Sequence, residues 1–226
     1  MAYILSIETA TPACSVALHQ NDQLLGSFSL FIDKSHASQL TLLIQHLTAH
    51  CALPIQQIDA VAVSKGPGSY TGLRIGVSTA KGLCYALDIP FISVNTLEAM
   101  ALQVQPYNIN GALLCPMLDA RRMEVYCGIW DQQLQVQVAT QAKVIDEEAF
   151  RETLDQHPIL FFGNGAQKCK AILSHHPNAF FLEEVSPQAR TIGQRAVVKY
   201  EEKQFEELAY FEPYYLKDFV GTKAKK

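Results

Sequence analysis

Positive charge is scarce in this chain: 18 Lys and Arg stand against 22 Asp and Glu, a formal net charge of −4. An independent nucleic-acid binder usually carries a basic surplus, so that class is disfavoured, although charge gathered locally stays open. No cysteine pairs as Cys-x-x-Cys. The six cysteines (14, 51, 84, 115, 127 and 169) fall mostly inside apolar segments. That pattern argues for reduced, buried thiols and against a disulfide frame or zinc site. No apolar run approaches bilayer-spanning length, and the first residues read as a strand rather than a basic, apolar leader. A soluble cytoplasmic protein is expected. Internal repeats and low-complexity tracts are also missing. What remains is 226 residues of ordinary globular composition, enough for one large domain or two small ones.

Two further absences concern the stretch Ser64 to Leu87, around which the chain is organised. An apolar run, Ile58 to Val63, reads as a buried strand, broken by Gly66, Pro67 and Gly68, and Ser69 stands where it can cap a helix. Strand, glycine turn and helix suggest a phosphate loop, yet the spacing of a P-loop is not there. Counted from Gly66 its second glycine falls on Thr71, and counted from Gly68 on Leu73. The dinucleotide fingerprint fails as well, because Gly72 comes one residue late. A strand-to-helix turn without a phosphate is the better reading.

The helix behind the turn is more informative. At 100° per residue, Leu73, Val77, Ala80, Cys84 and Leu87 share one stripe suited to face a sheet. Gly72, Ile75, Gly76, Thr79, Gly82, Leu83 and Ala86 form an adjoining face of small and apolar residues, leaving Arg74, Ser78, Lys81 and Tyr85 a narrow polar strip. A surface helix normally has one apolar stripe. Either this helix is covered twice, by its own sheet and by something else, or it is buried wholly within its own domain. Each interior glycine costs about 1 kcal/mol against alanine, so close backbone approach is the expected return.

Elsewhere, Tyr3–Ile7, Cys14–His19 and Leu24–Leu30 read as three antiparallel strands with a hairpin at Asn21-Asp22. Between the first two, Glu8, Thr9 and Thr11 put a carboxylate and hydroxyls at a strand end. A phosphate or metal could sit there; the alternative is a plain turn with a solvated Glu8. Ser35 can cap a helix running to about Cys51, with Leu40, Leu43, Ile44, Leu47 and Cys51 inward and Leu42 and Ala49 outward. His46 and His50 have i, i+4 ligand spacing, but no Glu or Cys in that helix completes a site, and a solvated face reads better. Phe91–Val94 is a strand, and a short helix opens at Asn95-Thr96, with Thr96 as its cap. Residues from Gln105 to Gly111 form the expected boundary between a unit of residues 1–105 and a smaller unit of residues 106–187. Ala112–Leu118 and Glu124–Trp130 are strands joined by Asp119-Ala120-Arg121-Arg122. There Asp119 pairs with an arginine in a charged turn, or Arg121 and Arg122 contact an anion or RNA. Further expectations are a strand at Leu134–Ala139, a helix at Asp146–Gln156, a strand at Ile159–Phe162, a helix at Ala166–Leu173 and a strand at Phe180–Leu182. A last helix, Gln188–Gln204, would pack back on the first unit, followed by a C-terminal tail, residues 213–226, frayed at its basic end.

Several strings resemble the TsaB (YeaZ) family. They are Ile4-Leu5-Ser6-Ile7-Glu8-Thr9 with Cys14-Ser15-Val16-Ala17-Leu18, Lys65-Gly66-Pro67-Gly68-Ser69-Tyr70-Thr71-Gly72-Leu73-Arg74-Ile75-Gly76, and Asp119-Ala120-Arg121-Arg122 followed by Glu124-Val125-Tyr126. The ending Pro213-Tyr214-Tyr215-Leu216-Lys217 is similar to the family's Pro-x-Tyr-Leu-Arg, with Lys for Arg. Glu8 departs from the Asp common there, which weakens any nucleotide or metal contact at that turn. The match is carried by motifs over roughly the first 130 residues and by arrangement beyond them.

The resemblance implies an α/β actin-like (ASKHA, ribonuclease H-like) fold with two related subdomains, the second reduced. It also implies a part in placing the threonylcarbamoyl group on adenosine beside the anticodon of tRNAs that read codons starting with A. In that setting the TsaB-type protein is a non-catalytic partner of its paralogue TsaD, the ATPase TsaE joins the complex, and TsaC supplies the adenylate. This chain would need no cofactor, since ATP belongs to TsaE and the metal to TsaD, and it would meet tRNA only through the complex and no membrane. TsaD-type proteins hold their metal with the two histidines of Asn-His-Leu-Glu-Gly-His, where this chain has Asn95-Thr96-Leu97-Glu98-Ala99-Met100, and Thr and Met cannot replace two imidazoles. Their glycine-rich phosphate loop corresponds to Asp119-Ala120-Arg121-Arg122, which has no glycine to admit backbone N–H groups. The implied partner surface comprises Gln39, Leu42 and His46 with Thr71, Gly72, Ile75, Gly76, Ser78, Thr79, Gly82 and Ala86, and it would serve a homodimer when the partner is absent. Two other classes stay in view, an actin-like ATP-dependent small-molecule kinase and a metallopeptidase.

Overall fold

The computed structural model describes residues 1–32 and 36–217. Strands β1 (Tyr3–Glu8), β2 (Cys14–Gln20) and β3 (Gln23–Leu30) form an antiparallel meander. Helix α1 (His36–His50), strand β4 (Ala60–Gly66), helix α2 (Tyr70–Leu87) and strand β5 (Phe91–Asn95) follow, and both strands run parallel with β1. The first sheet therefore has the order β3-β2-β1-β4-β5. Helix α3 (Thr96–Val104) leads to a second meander, β6 (Leu113–Asp119), β7 (Glu124–Trp130) and β8 (Val136–Val144). After a single turn of helix, α4 (Arg151–Leu154), come β9 (Ile159–Phe162), α5 (Asn164–Leu173) and β10 (Ala179–Leu182), whose strands lie parallel to β6. Helix α6 (Ala189–Glu201) closes the described fold. The second sheet, read β8-β7-β6-β9-β10, has the topology of the first, with the four-residue α4 in the place of the fifteen-residue α1.

Alternation along the strands decides what covers each face. Leu5, Ile7, Val61 and Val63 of the first sheet point to α1 and α2, where Leu40, Leu43, Ile44, Leu47, Val77, Ala80 and Cys84 meet them. Ile4, Ala60, Ala62, Ile92 and Val94 point the other way and are covered by Ile192, Ala196 and Val197 of α6. Helix α3 leaves its own sheet's edge and buries Leu97, Met100 and Val104 against Leu114, Leu118, Trp130 and Phe162 of the second. All six cysteines are free thiols, and Cys51 alone is less than fully buried. Among the described residues no helix is long and apolar enough to cross a membrane.

Several boundaries differ from expectation. Asn95, not Thr96, caps α3, its side chain accepting from the N–H groups of Leu97 (2.9 Å) and Glu98 (3.2 Å). Strand β8 starts at Val136 because Leu134 sits in a turn at φ 58° whose amides are held by Asp131. The helix expected over 146–156 shrinks to α4 because Phe150 takes φ 65° to reach the core against Phe161; a left-handed residue ends any α-helix. Ser35 and the basic residues from Lys223 to Lys226 lie outside the described residues.

Candidate functional site

The β1–β2 turn is the first place to look for chemistry, and its carboxylate is sealed. Glu8 and Thr9 are wholly buried and Thr11 nearly so. Ser69 caps α2 as expected, its hydroxyl accepting from Gly72 N–H at 3.2 Å, and its own N–H donates to Ala10 O at 2.7 Å. That bond seats the start of α2 on the turn. A Cβ at Gly68 would lie 2.5 Å from Ala10 O, one at Gly72 2.1 Å from Thr9 O, and one at Gly76 2.3 Å from Thr9 Oγ1. Gly72 and Gly76 therefore turn inward, against the expectation that they belong to an outward partner surface. Their close approach is to the chain's own turn.

Glu8 is thus not solvated. Its Oε1 accepts from Ala10 N–H at 2.5 Å, while its Oε2 and the hydroxyls of Thr9 and Thr11 are buried without a partner among the described residues. Burial pushes the carboxyl up to about 7, against the opposing pull of the Ala10 N–H. A neutral or half-neutral carboxyl buried behind α2 is poorly suited to a phosphate or cation, which weighs against the contact expected of Glu8 and Thr9, whereas Thr11 borders the cavity between the sheets.

The outward sides of α1 and α2 are different in kind. The two helices lie side by side. Leu42 of α1 is 43% exposed, with Gln39 half-buried and His46 exposed beside it. On α2, Ile75 and Thr79 are half-buried, while Thr71, Ser78, Gly82 and Ala86 are exposed. Nothing lies within 4 Å of a Cβ placed on Gly82, so this glycine alone of α2's three opens outward. Tyr85 is 83% exposed and joins this side; a polar-strip assignment hid it, since tyrosine counts as polar on a wheel and as apolar area at a contact. Arg74 is held on Tyr70, donating to its hydroxyl at 3.0 Å with its guanidinium 5.4 Å from the ring centroid. His46 and His50 form no ligand pair, because His50 Nδ1 donates to the His46 carbonyl at 2.7 Å. Among the described residues no three His, Cys, Asp or Glu side chains gather as a metal site.

Between the two sheets lies a cavity of about 770 Å³, bounded by Thr11 and Pro12, by Ser69, Tyr70 and Thr71, by Asp119 to Arg122, and by Tyr214 to Lys217. Arg121 and Arg122 sit in the turn at φ 70° and 49°, and neither makes an ion pair among the described residues. Asp119 forms no ion pair with either guanidinium among the described residues. Its Oδ1 accepts from Arg121 N–H at 2.8 Å and from Lys168 Nζ at 2.5 Å. A second cavity, about 460 Å³, lies beyond Tyr214 and is bounded by Lys65, Asn95, Glu98, Trp130 and Thr140. Glu98 there is paired with Arg195 at 2.6 Å, and Thr96 and Met100 are fully buried. The part played by Tyr214, Tyr215 and Lys217 was missed in the sequence, which carries no periodic signal after α6.

Comparison with known proteins adds a family. The family model described as "TsaD: tRNA N6-adenosine threonylcarbamoyltransferase" matches residues 30–224. The chain is 31% identical, over 173 residues, to the tRNA threonylcarbamoyladenosine biosynthesis protein TsaB of Bacillus subtilis, covering 75% of this chain and 74% of that one. It is 38% identical over 124 residues to the protein of the same name from Escherichia coli, where the match spans 54% of this chain and 52% of the other. Among solved structures, YeaZ from Pseudomonas aeruginosa superposes with a TM-score of 0.80 at 26% identity, over 96% of this chain and 100% of that one. The fold is α/β and actin-like, two sheets of one topology with the second half reduced.

Proposed function

Because the chain belongs to the TsaB (YeaZ) family, we propose that it serves tRNA threonylcarbamoyladenosine biosynthesis as a non-catalytic scaffold in the cytoplasm. It binds and stabilises a TsaD-type catalytic subunit through the outward sides of α1 and α2. A TsaE-type ATPase joins the assembly, tRNA is met through the complex, and ATP and metal are handled by the partners. In the partner's absence the same face pairs with its own copy.

The observation that carries this reading is a set on two adjacent helices, exposed Leu42, Gly82, Tyr85 and Ala86 with half-buried Ile75 and Thr79 among them. Small residues let a second pair of helices approach closely, and Leu42 and Tyr85 supply apolar area at the contact. The sealed Glu8 supports a non-catalytic role and weighs against an ATP-dependent kinase, whose turn would need an accessible carboxylate for a metal–phosphate group.

The test reconstitutes tRNA modification from purified components with no chain, wild-type chain or Ile75→Glu. A carboxylate at the centre of the contact should weaken binding of the catalytic subunit by at least ~30-fold, the weight of about 2 kcal/mol at an interface centre. Modification should then fall to the level without the chain. Wild-type affinity in Ile75→Glu overturns the proposed face, and modification that proceeds equally well without the chain overturns the accessory role.

A further inference from the structure

After α6 the chain does not trail away. It crosses the first sheet at β5 and β4 and, by Lys217, reaches the second. Lys81 Nζ donates to the carbonyls of Ala209 and Phe211, both at 3.2 Å, and the Phe211 ring meets Phe91 edge-on at 4.9 Å. Tyr214 N–H then donates to Lys65 O at 2.7 Å, and its carbonyl rests so near β4 that a Cβ at Gly66 would lie 2.9 Å from it. Gly66 is at φ +111°, so a side chain is unwelcome there twice over, by backbone conformation and by the segment lying on it. The Tyr215 ring packs on Tyr70, the first residue of α2, at 4.9 Å between centroids. Two residues on, Lys217 forms an ion pair with Glu124, the first residue of β7. Five residues thus tie β4 and α2 of one sheet to β7 of the other, and Tyr214 borders both cavities.

We propose that Pro213–Lys217 is an intramolecular strap that closes the cleft between the two sheets and fixes their separation. Two covalent crossings, residues 105–112 and 183–188, already join the sheets. Two plates joined by such crossings can hinge unless a further contact bridges the cleft between them. In a cleft protein a bound ligand can supply that bridge; here the chain supplies it itself. Each tie is modest, one backbone hydrogen bond, one ring contact and one part-exposed ion pair. Acting together they hold a segment with no regular secondary structure, while leaving it able to open. The cavity of about 770 Å³ is the space beside the strap.

Native-state hydrogen exchange on the full chain tests this. The reporters sit on either side of the cleft. One is the Leu73 N–H, bonded to Ser69 O; the others are the Ala120 and Glu124 N–H groups, bonded across the β6–β7 turn. In Tyr215→Ala/Lys217→Ala these amides should exchange roughly 10-fold faster on both sides, as a local opening unit that has lost its tie, while amides of β1, β4 and α6 keep wild-type protection. Lys217→Glu alone should give about a 3-fold rise at Ala120 and Glu124, the scale of a part-exposed ion pair, and Glu124→Lys/Lys217→Glu should restore it. A rise confined to residues 213–217, or no rise, overturns the proposal. Failure of the charge exchange to restore protection overturns the ion pair as its second anchor. Loss of protection throughout β1 and β4 would show the segment to be part of the core rather than a strap, and also overturns it.

Discussion

Glu8 and His19 are both fully buried in the first sheet, and both are pushed towards neutrality by burial, with opposite consequences for stability. The Glu8 carboxyl rises to about 7. Between about 4.5, its ordinary value, and 7, the folded chain keeps a proton that the unfolded chain releases, so its contribution to stability falls as pH rises through that window. The His19 imidazole drops to about 4, with Gly193 of α6 so close that a Cβ there would meet Nδ1 at 2.2 Å. Between about 6.5 and 4 the unfolded chain binds a proton that the folded chain refuses, so this contribution falls as pH drops. From roughly pH 4.5 to 6.5 the two slopes oppose each other, and the wild type conceals both. Single substitutions unmask them. Relative to wild type, Glu8→Gln should gain stability as pH rises from about 4.5 to 7, and His19→Asn should gain as pH falls from about 6.5 to 4. Each gain is up to about 3 kcal/mol across its window, at about 1.4 kcal/mol for every tenfold change in proton affinity on folding. Urea denaturation at a series of pH values measures these differences, and the fixed cost of reshaping either site does not enter the slope. Flat differences in both variants would mean that neither group is buried uncharged.

The three glycines inside α2 look alike in sequence and behave as two classes. Gly72 and Gly76 admit the chain's own β1–β2 turn, whereas Gly82 faces open space. Gly72→Ala places a methyl 2.1 Å from the Thr9 carbonyl, a backbone atom that no rotamer change can move aside. It should destabilise by about 3 kcal/mol, the upper part of the overpacking range. Gly82→Ala meets nothing and should stabilise by about 0.5–1 kcal/mol through helix propensity and a less free unfolded chain. Chemical denaturation at dilute protein separates the two; equal effects of either sign would refute the assignment of faces. A helical wheel finds the sheet-facing stripe of α2, with Leu73, Val77, Ala80 and Cys84 buried, but it puts Gly72 and Gly76 on the other face because it cannot say which small residues the β1–β2 turn covers. The same division holds elsewhere. Local chemistry was legible, as with the Ser69 cap, the Asn21-Asp22 hairpin and the buried stripes of α1 and α2. Features decided by tertiary contact were not. Phe150 abandons a helix to reach Phe161, Glu8 is covered by α2, and Asp119 finds Lys168 from a distant helix rather than its neighbouring arginines.

No repeat is visible in the sequence, yet the two halves share one strand order. Topology survives because alternation and turn position suffice to specify it, while side chains on each face have adjusted to different cover. That cover is exchanged between the halves. Helix α3, leaving the first sheet, fills the core around Leu114, Leu118, Trp130 and Phe162 of the second, and α6, leaving the second, closes the Ile4, Ala62 and Ile92 face of the first. Either half alone would expose a broad apolar sheet face, so the described molecule should unfold in a single cooperative transition. Trp130 is the only tryptophan of the chain and sits in the exchanged core, so its fluorescence reports the second half, while far-UV circular dichroism reports both. The two urea transitions should coincide. Leu97→Ala removes a fully buried side chain of α3 from that same core and should cost about 3 kcal/mol, within the range for a large-to-small change. It should lower both midpoints together, because the α3 contact is shared by the two halves. A Trp130 transition that precedes the dichroism change, in wild type or variant, would mean that the second half melts alone and that helix exchange does not bind the halves into one unit.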